Sequence, residues 1–167
     1  MSKWNNNAKE KSNQILKQIT PILEDYFHGK LFSTECEDSE LGKILDYRCS
    51  IDALILKDND VFGIAHRVDY KNKQSITIRY KHSETTKPTE FQKITNWSKI
   101  KPTYHVTTCC VDGKPKYIAI IPTLMLLEAI IDDGIGELKN GLDGSQYFEL
   151  KWYDLRKYGL HVLKLEV

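Results

Sequence analysis

An apolar run that carries a single acid, Cys49-Ser50-Ile51-Asp52-Ala53-Leu54-Ile55-Leu56, constrains the fold of this chain more than any other feature. It is followed by Val61-Phe62-Gly63-Ile64-Ala65-His66-Arg67-Val68 and by Ser75-Ile76-Thr77-Ile78-Arg79-Tyr80. Runs of this length, rich in β-branched residues and separated by the polar stretches 57–60 and 71–73, predict three consecutive β-strands joined by tight turns. The first strand then holds a carboxylate among apolar neighbours. Desolvating that charge is costly unless a cation or several donors compensate it, so Asp52 points to a metal or phosphate site on the meander.

The rest of the chain supplies helices around these strands. Ile15, Ile19, Ile22, Leu23 and Tyr26 recur at three- and four-residue steps and predict an opening helix over about 8–27, kinked or broken at Pro21. His28 to Tyr47 is polar and acidic and reads as a long loop with at most a short helical turn. Phe91, Ile94, Trp97 and Ile100 define one face of a second helix over 88–101. Strands follow at 104–111 and 117–121 around the Asp112-Gly113 turn. Pro122 then opens an apolar helix over 123–131, and a last strand pair, 148–151 with Leu160 to Val167, closes the chain.

Composition narrows the function. The hydrophobic share of 41% and charged share of 28% are those of an ordinary globular domain. No apolar run approaches the ~20 residues of a spanning helix, and the polar start lacks a secretory signal, so a cytoplasmic protein is expected. The 24 basic and 23 acidic side chains leave a net charge of +1, which argues against a general electrostatic grip on nucleic acid. The signs are unevenly spread, however. From Arg67 to Lys101 the bases, Lys99 among them, outnumber Asp69, Glu84 and Glu90, whereas Glu24 to Glu40 is acidic, which favours a local basic surface. Cys36, Cys49, Cys109 and Cys110 have no zinc-binding spacing, and adjacent Cys109 and Cys110 point to opposite faces of a strand.

The order helix, three antiparallel strands, helix, strand, with Asp52 on the first strand and Gly63-Ile64-Ala65-His66-Arg67 on the second, resembles the PD-(D/E)xK nuclease-like superfamily. The resemblance implies an α/β (α+β) fold in a single nuclease-like domain over 1–167. Its α-β-β-β-α-β core would occupy about residues 8–111, with a mixed central sheet flanked by helices, and a C-terminal β/α extension would follow over 112–167. It also implies an acid at Asp52 and an acid-x-Lys on the next strand. Here Arg67 stands in the lysine position and Ala65 where the second acid belongs. Mg2+ wants oxygen ligands, so the metal ligands expected are Asp52, Asp69 on the same strand face as Arg67, and Glu24 on the first helix. Glu90 and Gln92 on the second helix are further groups that can face the site. Arginine keeps its proton at working pH, so Arg67 can clamp a phosphate but cannot act as a base.

Two functions follow. The first is a Mg2+-dependent nuclease, or a degenerate relative that binds nucleic acid, with Asp52, Arg67 and Asp69 catalytic and Arg79, Lys81 and Lys93 on the nucleic acid. Tyr70, Tyr80, Trp97 and Tyr104 lie among the bases of this region and can stack on unpaired bases. Nucleases of this kind often cut as pairs, which would make the chain a homodimer. The second is a non-catalytic phage- or mobile-element-type factor that binds a host protein, favoured by Ala65 and the near-neutral charge. His66 has the opposite strand parity to Arg67 and is expected to point away from Asp52.

Overall fold

The computed structural model describes residues 3–34, 40–82, 87–97 and 100–166. Cys36, Glu84, Lys99 and Val167, named above, lie outside them, as does the side chain of Trp97. The fold is mixed α+β, and none of its described helices is long and apolar enough to cross a membrane.

The opening helix, α1 (Lys3–Phe27), runs through Pro21 without a break. Lys17, whose carbonyl loses its helical donor to the proline, and Pro21 itself are both exposed, so water can replace the missing bond. Its inner stripe is Ile15, Leu16, Ile19, Leu23 and Phe27, all buried. The segment expected as a loop instead contains an edge strand, β1 (Lys30–Ser33), and a helix, α2 (Glu40–Cys49). The apolar run around Asp52 is accordingly divided. Cys49 ends α2, Ser50 takes a positive φ of 55°, and the strand β2 (Ala53–Lys57) begins only after Asp52.

β2 forms a hairpin with β3 (Asp60–Asp69), as expected, and β1 pairs antiparallel with the other edge of β2. The third strand of the expected meander departs from it. Both carboxylate oxygens of Asp69 accept from the turn that follows, from the backbone N–H groups of Lys71 at 2.9 Å, Lys73 at 2.7 Å and Gln74 at 3.1 Å. With Asn72 and Gln74 both at positive φ, that turn sends the chain out of the sheet. β4 (Ser75–Lys81) then pairs in a separate sheet, and the vacated edge of β3 is taken in parallel by β5 (Tyr104–Val111). The connection includes α3 (Glu90–Gln92), which continues as a π-helical turn over Lys93–Trp97 in place of the longer α-helix expected.

β5 returns through the Asp112-Gly113 turn, both residues at positive φ, into β6 (Lys114–Pro122), and α4 (Thr123–Ile131) follows as expected. β7 (Glu137–Asn140) and β8 (Gln146–Lys151) form a hairpin, and β8 pairs with β4. A short α5 (Trp152–Leu155) with a 3-10 turn leads to β9 (His161–Lys164), which pairs with β6 rather than with the 148–151 segment. The result is a six-stranded sheet in the order β1-β2-β3-β5-β6-β9 and a three-stranded sheet in the order β4-β8-β7.

The large sheet is covered on both faces. α1 packs Leu16, Ile19, Leu23 and Phe27 onto Ile55, Ile64, Val106 and Ile118. On the other face Cys109, Ala119 and Ile121 pack with Ile76, Ile78 and Leu150 of the small sheet and with Leu126, Ala129 and Leu155 of α4 and α5. Both clusters bury aliphatic side chains, each worth about 1.5–3 kcal/mol relative to exposure.

Candidate functional site

Where β3 and β4 part company, their side chains border a cavity of about 640 Å3. β3 contributes Arg67 and Asp69, β4 contributes Ser75, Thr77 and Arg79, and β8 contributes Tyr147. Asp52, Glu90, Lys93 and Thr107 line it as well.

Glu90 organises this wall. Thr89 caps α3 by accepting from the backbone N–H of Gln92 at 3.2 Å, and the Gln92 side chain accepts from the N–H of Thr89 at 2.9 Å. This capping box fixes the start of α3 and so aims Glu90 inward. The Glu90 side chain is only 3% exposed, yet its Oε2 accepts both from Arg67 Nη2 at 3.0 Å and from the backbone N–H of Arg79 at 3.3 Å. A single buried carboxylate thus ties β3 to β4 at the point where the strands enter different sheets. Its other oxygen, Oε1, has no hydrogen-bond partner among the described residues and lies 3.6 Å from His105 Nε2, also unpartnered. That separation is longer than an ordinary hydrogen bond. His105 Nδ1 is 3.1 Å from Thr123 Oγ1. Burial alone would push the Glu90 carboxyl up, but the Arg67 charge and His105 outweigh it and hold the group well below the usual carboxylate range. Glu90 in turn strengthens Arg67's hold on its proton.

Asp52 lies at the end of the β2 ladder. Its backbone N–H donates to Ile64 at 2.8 Å, and its Oδ2 accepts from the backbone N–H of His66 at 2.6 Å. The side chain therefore continues the ladder by one bond beyond the strand, which explains how a carboxylate only 9% exposed is tolerated there. Its charge reaches Arg67, for which it is a secondary stabiliser after Glu90. The His66 side chain points to the opposite face, as expected, where Nε2 lies 2.9 Å from Thr108 Oγ1. Burial and the neighbouring Arg67 charge push its pKa down to about 3.

The remaining acids are separated by their partners. Asp69 lines the cavity, but its oxygens are engaged by the 71–74 turn. Glu24 accepts from the backbone N–H of Leu31 and from Lys30. Lys30 is paired with Leu56, whereas Asp52 precedes Ala53, so Glu24 sits at the far end of β2 from Asp52. Asp143 accepts from the Ser145 N–H at 3.0 Å and hydroxyl at 2.6 Å. No three His, Cys, Asp or Glu side chains come together as a metal cage among the described residues. Glu90, Asp52 and Asp46 all act on Arg67 through their charge and line the cavity, and a hard cation can use two carboxylates with water and phosphate oxygens.

The bases expected to contact nucleic acid differ in their surroundings. Arg67 is tied to Glu90, and Lys93, with Nζ 3.1 Å from the Asp46 carbonyl, is half-buried, which lowers its pKa. Lys81 lies beyond a bulge at the end of β4, outside the cavity. Arg79 differs from these: it is exposed, and its guanidinium makes no hydrogen bond or ion pair among the described residues. Of the aromatic residues named above, Tyr80 packs against Phe91 and Phe148, and Tyr104 against Phe27 and Phe62, while Tyr70 lines the cavity. Tyr147 lines it too, and no local pattern in the sequence marks it, because its position depends on the pairing of β4 with β8 across several intervening elements. No protein-family model, curated protein or solved structure matches the chain.

Proposed function

We propose that the protein is a nuclease-like nucleic-acid-binding protein whose cavity takes a phosphodiester between Arg67 and Arg79. The observation that carries this reading is the bond of one buried carboxylate, Glu90, to both β3 and β4. It holds Arg67 in a neutral pair, while the Arg79 guanidinium on β4, at the cavity wall, makes no hydrogen bond or ion pair among the described residues and acts on Asp143 and His82 only through its charge. Guanidinium groups match phosphate oxygens in a planar fork, and desolvated contacts of this kind are among the stronger hydrogen bonds. The acids lining the cavity, Asp46, Asp52, Asp69, Glu90 and Asp143, are matched by the bases Arg67, Lys71, Lys73, Arg79 and Lys93, and the Arg67 charge beside Glu90 offsets its opposition to a polyanion.

The element order supports a nuclease-like core of the PD-(D/E)xK kind. α1, the antiparallel β1-β2-β3, α3 and a parallel β5 come in the expected order, but α2 is inserted between β1 and β2, β4 lies between β3 and α3, and β1 rather than β4 completes the three-strand unit. A cytoplasmic location accompanies this reading. Fluorescence anisotropy with labelled single- and double-stranded DNA and RNA at low salt tests it. Arg79→Ala is expected to weaken binding about tenfold, the scale of one lost charged hydrogen bond. Failure of the wild type to bind any of these nucleic acids would overturn the proposal and favour a protein partner instead.

A second reading, Mg2+-dependent hydrolysis, is favoured by the presence of Glu90 on α3, an acid that Ala65 does not provide. Asp52 and Glu90 would hold the ion, which when bound supplies Lewis-acid stabilisation of a phosphate oxygen. Arg67, half exposed, would exchange its bond to Glu90 for one to the phosphate. Incubation with linear, circular, single-stranded and branched DNA in Mg2+ or Mn2+ tests this reading; equal cleavage by Asp52→Ala would remove it.

A further inference from the structure

Resting on the nucleic-acid reading, we infer that the cavity selects an unpaired nucleotide, with Arg79 on its phosphate and Tyr147 stacked on its base. Arg79 and Tyr147 are direct cross-strand partners in the β4–β8 ladder, and both line the cavity. Cross-strand partners on one face of an antiparallel pair have Cβ atoms about 5 Å apart. An anion-binding group and a flat apolar ring are thus held side by side by backbone pairing.

Neither group is held by a close side-chain contact among the described residues. The Arg79 guanidinium has no hydrogen bond or ion pair, and Tyr147 has no ring contact and no hydrogen bond, among the described residues. The other aromatic residues near this sheet behave differently: Tyr80, Phe91 and Phe148 pack on one another as a cluster. Tyr147 is set apart from that cluster by strand parity, since it lies one residue from Phe148 and so points to the opposite face.

Paired bases in a duplex have their π-faces covered by neighbouring pairs, so only an unpaired base offers one to Tyr147. Aromatic stacking beside a backbone-binding cation is the usual arrangement for single strands, and it tolerates any base. The volume points the same way. A cavity of about 640 Å3 has room for a single nucleotide.

Competition binding tests the inference, using a fluorescein-labelled dT12 single strand against unlabelled dT12 and against a duplex of equal length. The wild type is expected to prefer the single strand at least tenfold. Tyr147→Ala is expected to weaken single-strand binding about 5- to 150-fold, the range for loss of one stacked base, and Tyr147→Phe to retain it. Circular dichroism and the urea midpoint check that both variants fold as the wild type does. Equal affinity for duplex and single strand, or Tyr147→Ala binding like the wild type, overturns the inference while Arg79-dependent binding still supports the broader reading. Absence of binding to either form overturns both.

Discussion

At the scale of single residues, Glu90 is the group on which both the cavity wall and part of the stability depend. Its carboxyl is held below the ordinary value of 4.5, so the unfolded chain takes up a proton first as the pH falls. The stabilisation is present above pH 4.5 and is lost as the pH drops below it. Glu90→Gln keeps an acceptor for the Arg79 N–H but loses the charge opposite Arg67; it is expected to lower stability by about 1–3 kcal/mol at pH 7. The gap between variant and wild type should close below pH 4.5, which urea melts across pH 3–7 measure. His66 acts in a separate window. With a folded value near 3 against 6.5, it stays neutral while the unfolded chain becomes charged. Stability should therefore fall as the pH drops through this interval, by at most about 1.4 kcal/mol per pH unit. His66→Gln, which can still bond Thr108, is expected to flatten that slope, and an unchanged slope would show that His66 is not its source.

At the scale of elements, the capping box on α3 does work out of proportion to a three-residue helix, because it sets the direction of Glu90. Thr89→Ala is expected to cost about 1 kcal/mol in stability and also to weaken nucleic-acid binding, read by urea midpoint and anisotropy on the same samples. Gly29 links α1 to β1 at a tighter spot. A Cβ there would stand 2.7 Å from the Leu56 carbonyl oxygen, a backbone atom that cannot move aside without disturbing β2. Gly29→Ala is expected to destabilise by about 1–3 kcal/mol, on the scale of an overpacked core. The elements also mark what could be read in the sequence. The β2–β3 hairpin, β5, the Asp112-Gly113 turn and α4 were legible because each carries a local signal, periodicity, turn residues or a helix-starting proline. β1 and α2 were not, because their polar composition hid an edge strand and a half-exposed helix. The departure of β4 was illegible for another reason: Asp69 gives its oxygens to the turn, a use no alternation of side chains reveals.

At the scale of the whole molecule, the site arises from two sheets meeting, and that is why sequence reading found its parts unequally. Asp52 and Arg67 stood out as an acid and a base on adjacent strands, and both line the cavity. Asp69 and Glu24 fitted the same chemistry on spacing, yet one caps a turn and the other binds the start of β1. Tyr147 and the unpaired state of Arg79 depend on β4 meeting β8, a contact between residues nearly seventy positions apart. The near-neutral net charge leaves binding to be carried by a few local contacts, so its salt dependence should be shallow and traceable to single residues. The most direct measurement is the dependence of single-strand affinity on salt for the wild type and for Arg79→Ala. A phosphate held by Arg79 predicts weaker binding and a slope of log K against log salt reduced by about 0.7 in the variant. A slope identical to that of the wild type, or binding that does not respond to salt at all, would contradict the account.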